Sequence, residues 1–270
     1  MSSVYRLLTS VENDCFRLLC FVAMLLKVVV LNSTSNSKIH FINLTTMKPN
    51  RIILIRHGES EGNVNRRVYG EKPDYTLLLT EKGIEQARAA GIELKTMLQH
   101  ERAFFYVSPL WRTRMTFEEI VKAFPPTQFH FIEEPRLREQ EWGHLRNLEE
   151  CAKTDRERDA FGTFYYRIED GESGADVYDR VSDFLSTLYR DFEKPDYPEN
   201  TVIITHGMTI RIFLMRWFHW TVEEFETYSN PKNCQIVTLE KQSDGRYRLM
   251  TELRRKAPSH PYQRPIRLPD

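Results

Sequence analysis

Two kinds of apolar pattern organise this chain of 270 residues. Arg51-Ile52-Ile53-Leu54-Ile55-Arg56 holds an unbroken apolar run that closes on Arg56-His57-Gly58. Such a run reads as a strand buried on both faces of a parallel sheet. Thr201 to Thr205 repeats the pattern and ends in His206-Gly207. Elsewhere the apolar spacing is helical. Thr80 caps a helix predicted to run to about Gln99, with Ile84, Ala87, Leu94 and Leu98 on one face. Val177 to Phe192 turns Val177, Val181, Phe184, Leu185 and Leu188 inward, and Met208 to Phe218 is an apolar helix. Phe104 to Val107 and Gln128 to Ile132 read as strands. Between them Ser108-Pro109 reads as the start of a helix reaching Phe124, with serine as cap and proline first. Gln235 to Leu239 and Arg246 to Leu253 form a predicted hairpin across Ser243-Asp244-Gly245. Strands alternating with helices predict an α/β fold, a three-layer sandwich on a mainly parallel sheet.

Two regions escape this periodicity. Leu137 to Gly171 is charged and aromatic without a clean period, and a stretch of that length between elements predicts a functional loop of the lid type. Residues 1–46 carry an apolar run, Leu18 to Leu26, resuming after Lys27 as Val28 to Leu31. A membrane span needs about 20 apolar residues, so this run falls short, whereas the core of a signal peptide is typically about 7–15 residues. Glu12 and Asp14 beside Arg6 and Arg17 weaken the positive flank such a peptide needs. Residues 1–46 are therefore set apart as a targeting segment or an extension ahead of Met47. Asn32-Ser33-Thr34 and Asn43-Leu44-Thr45 match the glycosylation acceptor pattern, a short and frequent match. Residues 47–255 make the expected catalytic domain, and 256–270, with Pro258, Pro261, Pro265 and Pro269, an extended tail.

Charge changes the picture by what it excludes. The 38 basic and 38 acidic residues balance, so no global basic excess marks a nucleic-acid partner, and anion affinity must come from a local cluster. The four cysteines, Cys15, Cys20, Cys151 and Cys234, show neither a disulfide framework nor metal-ligand spacing, which suits a reducing, cytoplasmic compartment. The secretory pathway or an organelle is the alternative if residues 1–46 act as a targeting segment, and membrane association is expected only if that segment is retained and used.

In open α/β sheets ligands bind beyond the carboxyl ends of the strands. If the two His-Gly strands are neighbours, His57 and His206 share one sheet edge. Arg56 precedes the first histidine, and Arg112, one turn beyond the Ser108-Pro109 break, can point back over the same edge. Two guanidiniums and two imidazoles make an oxyanion pocket, because the planar fork of arginine donates paired hydrogen bonds to phosphate. The chemistry this suggests is phosphoryl transfer to a histidine nitrogen, with a carboxylic acid protonating the departing alkoxide. His130, His144 and His219 have no comparable setting and read as structural or exposed. Arg146, Arg156, Arg158 and Arg167 are candidates to touch the rest of a substrate, at least two of them reading as solvated.

Arg56-His57-Gly58-Glu59-Ser60-Glu61-Gly62-Asn63 resembles the signature of the histidine phosphatase superfamily, the phosphoglycerate-mutase-like family. Ser108-Pro109-Leu110-Trp111-Arg112-Thr113, Leu137-Arg138-Glu139-Gln140-Glu141-Trp142-Gly143 and Thr205-His206-Gly207 resemble its remaining motifs, in family order over roughly residues 51–240. The resemblance implies the phosphoglycerate-mutase-like fold, with His57 as nucleophile and Glu139 as proton donor. Arg56, Arg112 and His206 would bind the phosphoryl group, with Asn63 and, more weakly, Ser60 as further contacts. It implies no metal and no cofactor. Gly171 to Arg180 adds a likeness to the branch holding plant phosphoglycerate-mutase-like proteins and a fungal broad-range acid phosphatase. The expected function is hydrolysis of small-molecule phosphate monoesters through phosphohistidine, with an acidic optimum. The alternatives are a mutase, for which the interval from Glu139 to His206 is short, and an inactive phospho-ligand scaffold, for which the full set of catalytic side chains is unexpected.

Overall fold

The computed structural model describes residues 48–143 and 148–256. The expectations for residues 1–46, for His144 and Arg146, and for the tail after Lys256 lie outside the described residues. Six strands form one sheet: β1 (Arg51–Arg56), β2 (Ala103–Val107), β3 (Phe129–Glu133), β4 (Asn200–Thr205), β5 (Ile236–Lys241) and β6 (Tyr247–Leu249), in the order β3-β2-β4-β1-β5-β6. β3, β2, β4 and β1 run parallel, while β5 pairs antiparallel with β1 and β6 antiparallel with β5. The two apolar runs ending in His-Gly are thus the central pair, buried along their lengths.

Alternation along each strand sorts the side chains into two cores. Ile52 and Leu54 of β1, Tyr106 of β2 and Ile203 of β4 face one core. It is closed by the helices α5 (Gly174–Phe192) and α6 (Gly207–Phe218), through Val177, Val181, Phe184, Leu185 and Leu188 and through Ile210, Phe213 and Leu214. Ile53 and Ile55, Phe105 and Val107, Val202 and Ile204 face the other core. That one is closed by α2 (Glu81–Leu98) and α3 (Trp111–Val121) through Ala87, Leu94, Phe117 and Ile120. Each large apolar side chain removed from water contributes about 1.5–3 kcal/mol. The three layers follow from the strand pattern. Thr80 caps α2 as expected, its Oγ1 accepting from Gly83 N at 3.1 Å. Ser173 and Asp176 cap α5 reciprocally.

Three expectations need correction. The stretch from Leu137 to Gly171 contains a helix, α4 (Leu148–Phe161), with only Cys151 buried among its fourteen residues. It lacks an apolar stripe, so periodicity could not reveal it. Helix α3 begins at Trp111 after Leu110, not at Pro109, and stops at Val121. Ser108 is not its cap. Two short helices, α1 (Glu61–Val64) and α7 (Val222–Glu226), complete the set, with 3₁₀ turns at Arg66–Gly70 and Pro135–Leu137. No helix among the described residues is long and apolar enough to cross a membrane.

Candidate active site

The site is built by register. Arg56 lies opposite Thr205, so His57 and His206 leave adjacent parallel strands at one level. His57 N donates to Thr205 O at 3.0 Å, and the two ring centroids lie 5.2 Å apart. On the other side of β4, Val107 lies opposite Ile204, which brings Ser108 level with Thr205, the residue before His206. Ser108 Oγ stands 2.7 Å from His206 Nε2, so this serine supports the second histidine instead of capping a helix. Helix α3 then delivers Arg112, whose side chain is 3 % exposed.

The turn after His57 is held against α2 and α3. Gly58 N donates to Thr116 Oγ1 at 3.0 Å. A Cβ on Gly83 at the start of α2 would stand 2.1 Å from Glu59 O, so only glycine lets the helix approach this closely. Glu139 follows the 3₁₀ turn after β3, and its segment is clamped through the main chain. Thr205 Oγ1 donates to Leu137 O at 2.6 Å, Thr209 Oγ1 to Arg138 O at 2.9 Å, and Arg180 to Glu139 O at 3.1 Å. Gln140 N donates to Glu139 Oε1 at 3.1 Å. These contacts fix the position of Glu139 from β4, α5 and α6.

A cavity of about 250 Å³ collects Arg56, His57, Asn63, Arg112 and Glu139 from four separate segments. Arg66, Tyr69, Asp74, Trp142 and Asn230 also line it. His206 is fully buried beside the His57 ring, its Nδ1 without a hydrogen-bond partner among the described residues. Asn63 Oδ1 accepts from Ser60 N at 3.1 Å and from Asn233 Nδ2 at 3.0 Å, and Asn233 also donates to His57 O at 3.0 Å. Ser60 is buried at the head of α1 and does not line the cavity. Its main-chain N–H is held by Asn63, and its Oγ is buried without a hydrogen-bond partner among the described residues. A larger cavity of about 670 Å³ shares Tyr69, Asp74, Glu139 and Trp142 with the first and extends past Arg138, Glu141 and Asp170.

Sequence reasoning missed Asp74. Its carboxylate accepts from Arg112 in bidentate fashion, 3.0 Å at each oxygen, and its carbonyl accepts a further bond at 2.8 Å. A Pro-Asp turn carries no signal that its carboxylate reaches a buried arginine. Of the candidate substrate-contacting arginines among the described residues, Arg158 lies over Trp142 at 5.0 Å, Arg167 pairs with Asp176 at 2.7 Å and Arg156 is exposed. His130 and His219 are exposed.

Electrostatics follow from burial among cations. Loss of hydration, reinforced by Arg112 and Arg56, holds His57 well below the ordinary imidazole range. His206 is lowered in the same way, by desolvation first and by Arg112 and His57 next. Glu139 moves the other way: desolvation raises it, although Arg112 and Arg56 oppose the shift. His57 Nδ1 lies 2.7 Å from Gly58 O, a carbonyl that only accepts, so the neutral ring carries its proton on Nδ1 and leaves Nε2 as a free base. Among the described residues no group of three or more His, Cys, Asp or Glu side chains is arranged to hold a metal ion.

The family model of the histidine phosphatase superfamily (branch 1) matches residues 52–252. The phosphoglycerate mutase-like protein AT74 of Arabidopsis thaliana is 44% identical over 214 residues, covering 74% of this chain and 68% of its own length. The broad-range acid phosphatase DET1 of Saccharomyces cerevisiae is 30% identical over 305 aligned positions, covering 78% of this chain and 91% of its own. Among solved structures, a mycobacterial glucosyl-3-phosphoglycerate phosphatase superposes with a TM-score of 0.61 at 23% identity, over 75% of this chain and 98% of that one. Bacillus stearothermophilus YhfR gives 0.59 at 21% identity, over 75% and 96%. Strand order, the paired His-Gly edge and these matches agree, and the chain belongs to the histidine phosphatase superfamily, branch 1.

Proposed function

We propose that this chain hydrolyses phosphate monoesters through a phosphohistidine on His57. The observation that carries this reading is the meeting of a neutral His57, two arginines and the raised carboxyl of Glu139 around one cavity. The free Nε2 of His57 attacks phosphorus, and its Nδ1–H, held by Gly58 O, steadies the ring as charge develops. Arg56 and Arg112 donate to the equatorial oxygens. With Ser108 Oγ–H donating to His206 Nε2, the proton of His206 stays on Nδ1 and is available to a phosphoryl oxygen. Glu139, protonated, gives its proton to the leaving alkoxide. Now a carboxylate, it then takes one from the water that attacks phosphohistidine.

Working pH follows from the same shifts. The lowered His57 stays a free base into mildly acidic solution, and the raised Glu139 keeps its proton to higher pH than an ordinary carboxyl. Both shifts widen the acidic range in which nucleophile and acid are ready together, which supports an acidic optimum. The large adjoining cavity leaves room for water and for varied alcohol portions, which favours hydrolysis over return of the phosphoryl group to a bound acid. The relatives named phosphoglycerate mutase-like keep the mutase as second reading. The test is turnover of p-nitrophenyl phosphate with chelator present and no added metal, beside 3-phosphoglycerate. Hydrolysis of both esters is expected; interconversion of 3- and 2-phosphoglycerate far faster than hydrolysis would replace this reading with the mutase.

A further inference from the structure

A third cavity, of about 370 Å³, shares Arg56 and Asn230 with the catalytic one. Five cationic side chains line it: Arg56, Arg158, Arg211, Arg254 and Lys256. The carboxylate of Asp159 is the one anion in its lining among the described residues. Among the described residues the closest approach of a carboxylate to any of the five is that of Glu226 Oε2 to Lys256 Nζ, 4.0 Å. Glu226 is otherwise engaged, accepting from Phe164 N at 2.7 Å. Counting both carboxylates, an excess of three positive charges remains.

The cations are also incompletely satisfied. Arg211 is 3 % exposed. It donates to Phe225 O at 3.0 Å and distantly to Asn230 Oδ1 at 3.4 Å, and its guanidinium lies 4.1 Å from the Phe225 ring centroid. Among the described residues no carboxylate bonds it. The Nε atoms of Arg56, Arg158 and Arg211 are all buried without a hydrogen-bond partner among the described residues. Holding a buried guanidinium without an anion is costly, and an oxyanion with several acceptor oxygens removes that cost. Burial lowers Arg158, although nearby carboxylates oppose the shift, and burial with repulsion from neighbouring arginines lowers Lys256 and brings Arg211 down to about 10, the carboxylate of Glu226 opposing both.

We infer that this cavity binds a phosphate-class oxyanion next to the reactive phosphoryl group, with Arg158, Arg211 and Arg254 as its donors and Arg56 shared between the two anions. Two sources carry that chemistry: a second phosphoryl group on the substrate and free phosphate. Assignment to the substrate rests on the phosphatase reading above; binding of the anion does not.

The test uses the full chain, its Arg254→Glu and Arg254→Ser variants, and Arg246→Glu as a control for the same charge change at an exposed site. Arg254 is exposed and joined to the fold through its carbonyl, which accepts from Ser229 N, so either replacement leaves the packing intact. Equilibrium titration with labelled inorganic phosphate is expected to give two phosphates per wild-type chain and one for Arg254→Glu. In parallel, KM is measured for p-nitrophenyl phosphate, with one phosphoryl group, and fructose 1,6-bisphosphate, with two. A rise of about tenfold for the bisphosphate alone, matching one lost charge-assisted hydrogen bond, assigns the site to the substrate. Unchanged KM values with one phosphate lost assign it to free phosphate. A single phosphate per wild-type chain, with the bisphosphate KM unmoved by either variant, overturns the inference. A wild-type chain that hydrolyses neither ester sinks the phosphatase reading, and the titration still decides the anion site.

Discussion

Replacing Glu139 by glutamine separates its proposed chemistry from its place in the fold. The amide oxygen still accepts from Gln140 N, and the clamps by Thr205, Thr209 and Arg180 act on main-chain carbonyls that the change does not touch. In mildly acidic solution, where Glu139 is kept protonated by burial, the exchange is also neutral for neutral, so Arg56 and Arg112 experience little change of field. What disappears is the transferable proton. Loss of a positioned general acid costs about 10²–10⁴ in rate. That cost depends on the leaving group. An alkoxide such as glycerol needs the proton, whereas p-nitrophenolate departs without one. The variant is therefore expected to lose about 10²–10⁴ in kcat/KM on glycerol 3-phosphate and much less on p-nitrophenyl phosphate. With the second ester, attack of water on phosphohistidine also loses its base. Stopped-flow mixing is then expected to show a burst of nitrophenolate approaching one equivalent per chain, followed by slow turnover. Equal losses on both esters with no burst would refute the assignment of Glu139 as acid and then base.

Gly83→Ala sets a Cβ 2.1 Å from Glu59 O and 2.9 Å from Glu59 N, a backbone clash that overpacks the turn after His57. A loss of about 1–3 kcal/mol is expected, read as a lower urea midpoint at unchanged slope. Acidification tests the two histidines. Both are lowered in the folded chain, so below about pH 6.5 the unfolded chain binds protons first and stability falls as pH falls. Glu139 has the opposite sign, since its raised value contributes stability that is present at low pH and lost as pH rises through that value. One carboxyl opposes two imidazoles. His206→Asn removes one of the two histidine contributions, and its urea midpoint is expected to fall less between pH 7 and pH 5 than that of wild type; parallel curves would contradict this.

How much the residues announced depended on whether burial left a period. β1 and β4 were legible because a strand covered on both faces must be apolar throughout, and their His-Gly ends fixed where a ligand would sit. The inward face of α5 was legible for the same reason at helical spacing. Helix α4 was not, since Leu148 to Phe161 buries one side chain and its charged residues fit a loop equally well. The central pairing of β1 with β4 could only be conditional until register placed Arg56 against Thr205. Contacts between distant polar residues left no trace in spacing. Ser108 looked like a cap and proved to be the partner of His206, and Asp74 looked like a turn residue and proved to hold Arg112. The cationic cavity was equally hidden. Its cations come from β1, α4, α6 and the segment after β6, and no local stretch of sequence shows their excess of charge.

The central claim is a phosphoryl group carried on His57. Rapid quenching of the chain with a labelled phosphate ester, followed by peptide mapping under alkaline conditions that preserve phosphohistidine, measures it directly. One equivalent of acid-labile phosphate on the peptide holding His57, absent from His57→Ala together with turnover, is the expected result. Label on another residue, or a His57→Ala variant that keeps wild-type activity, would contradict the account.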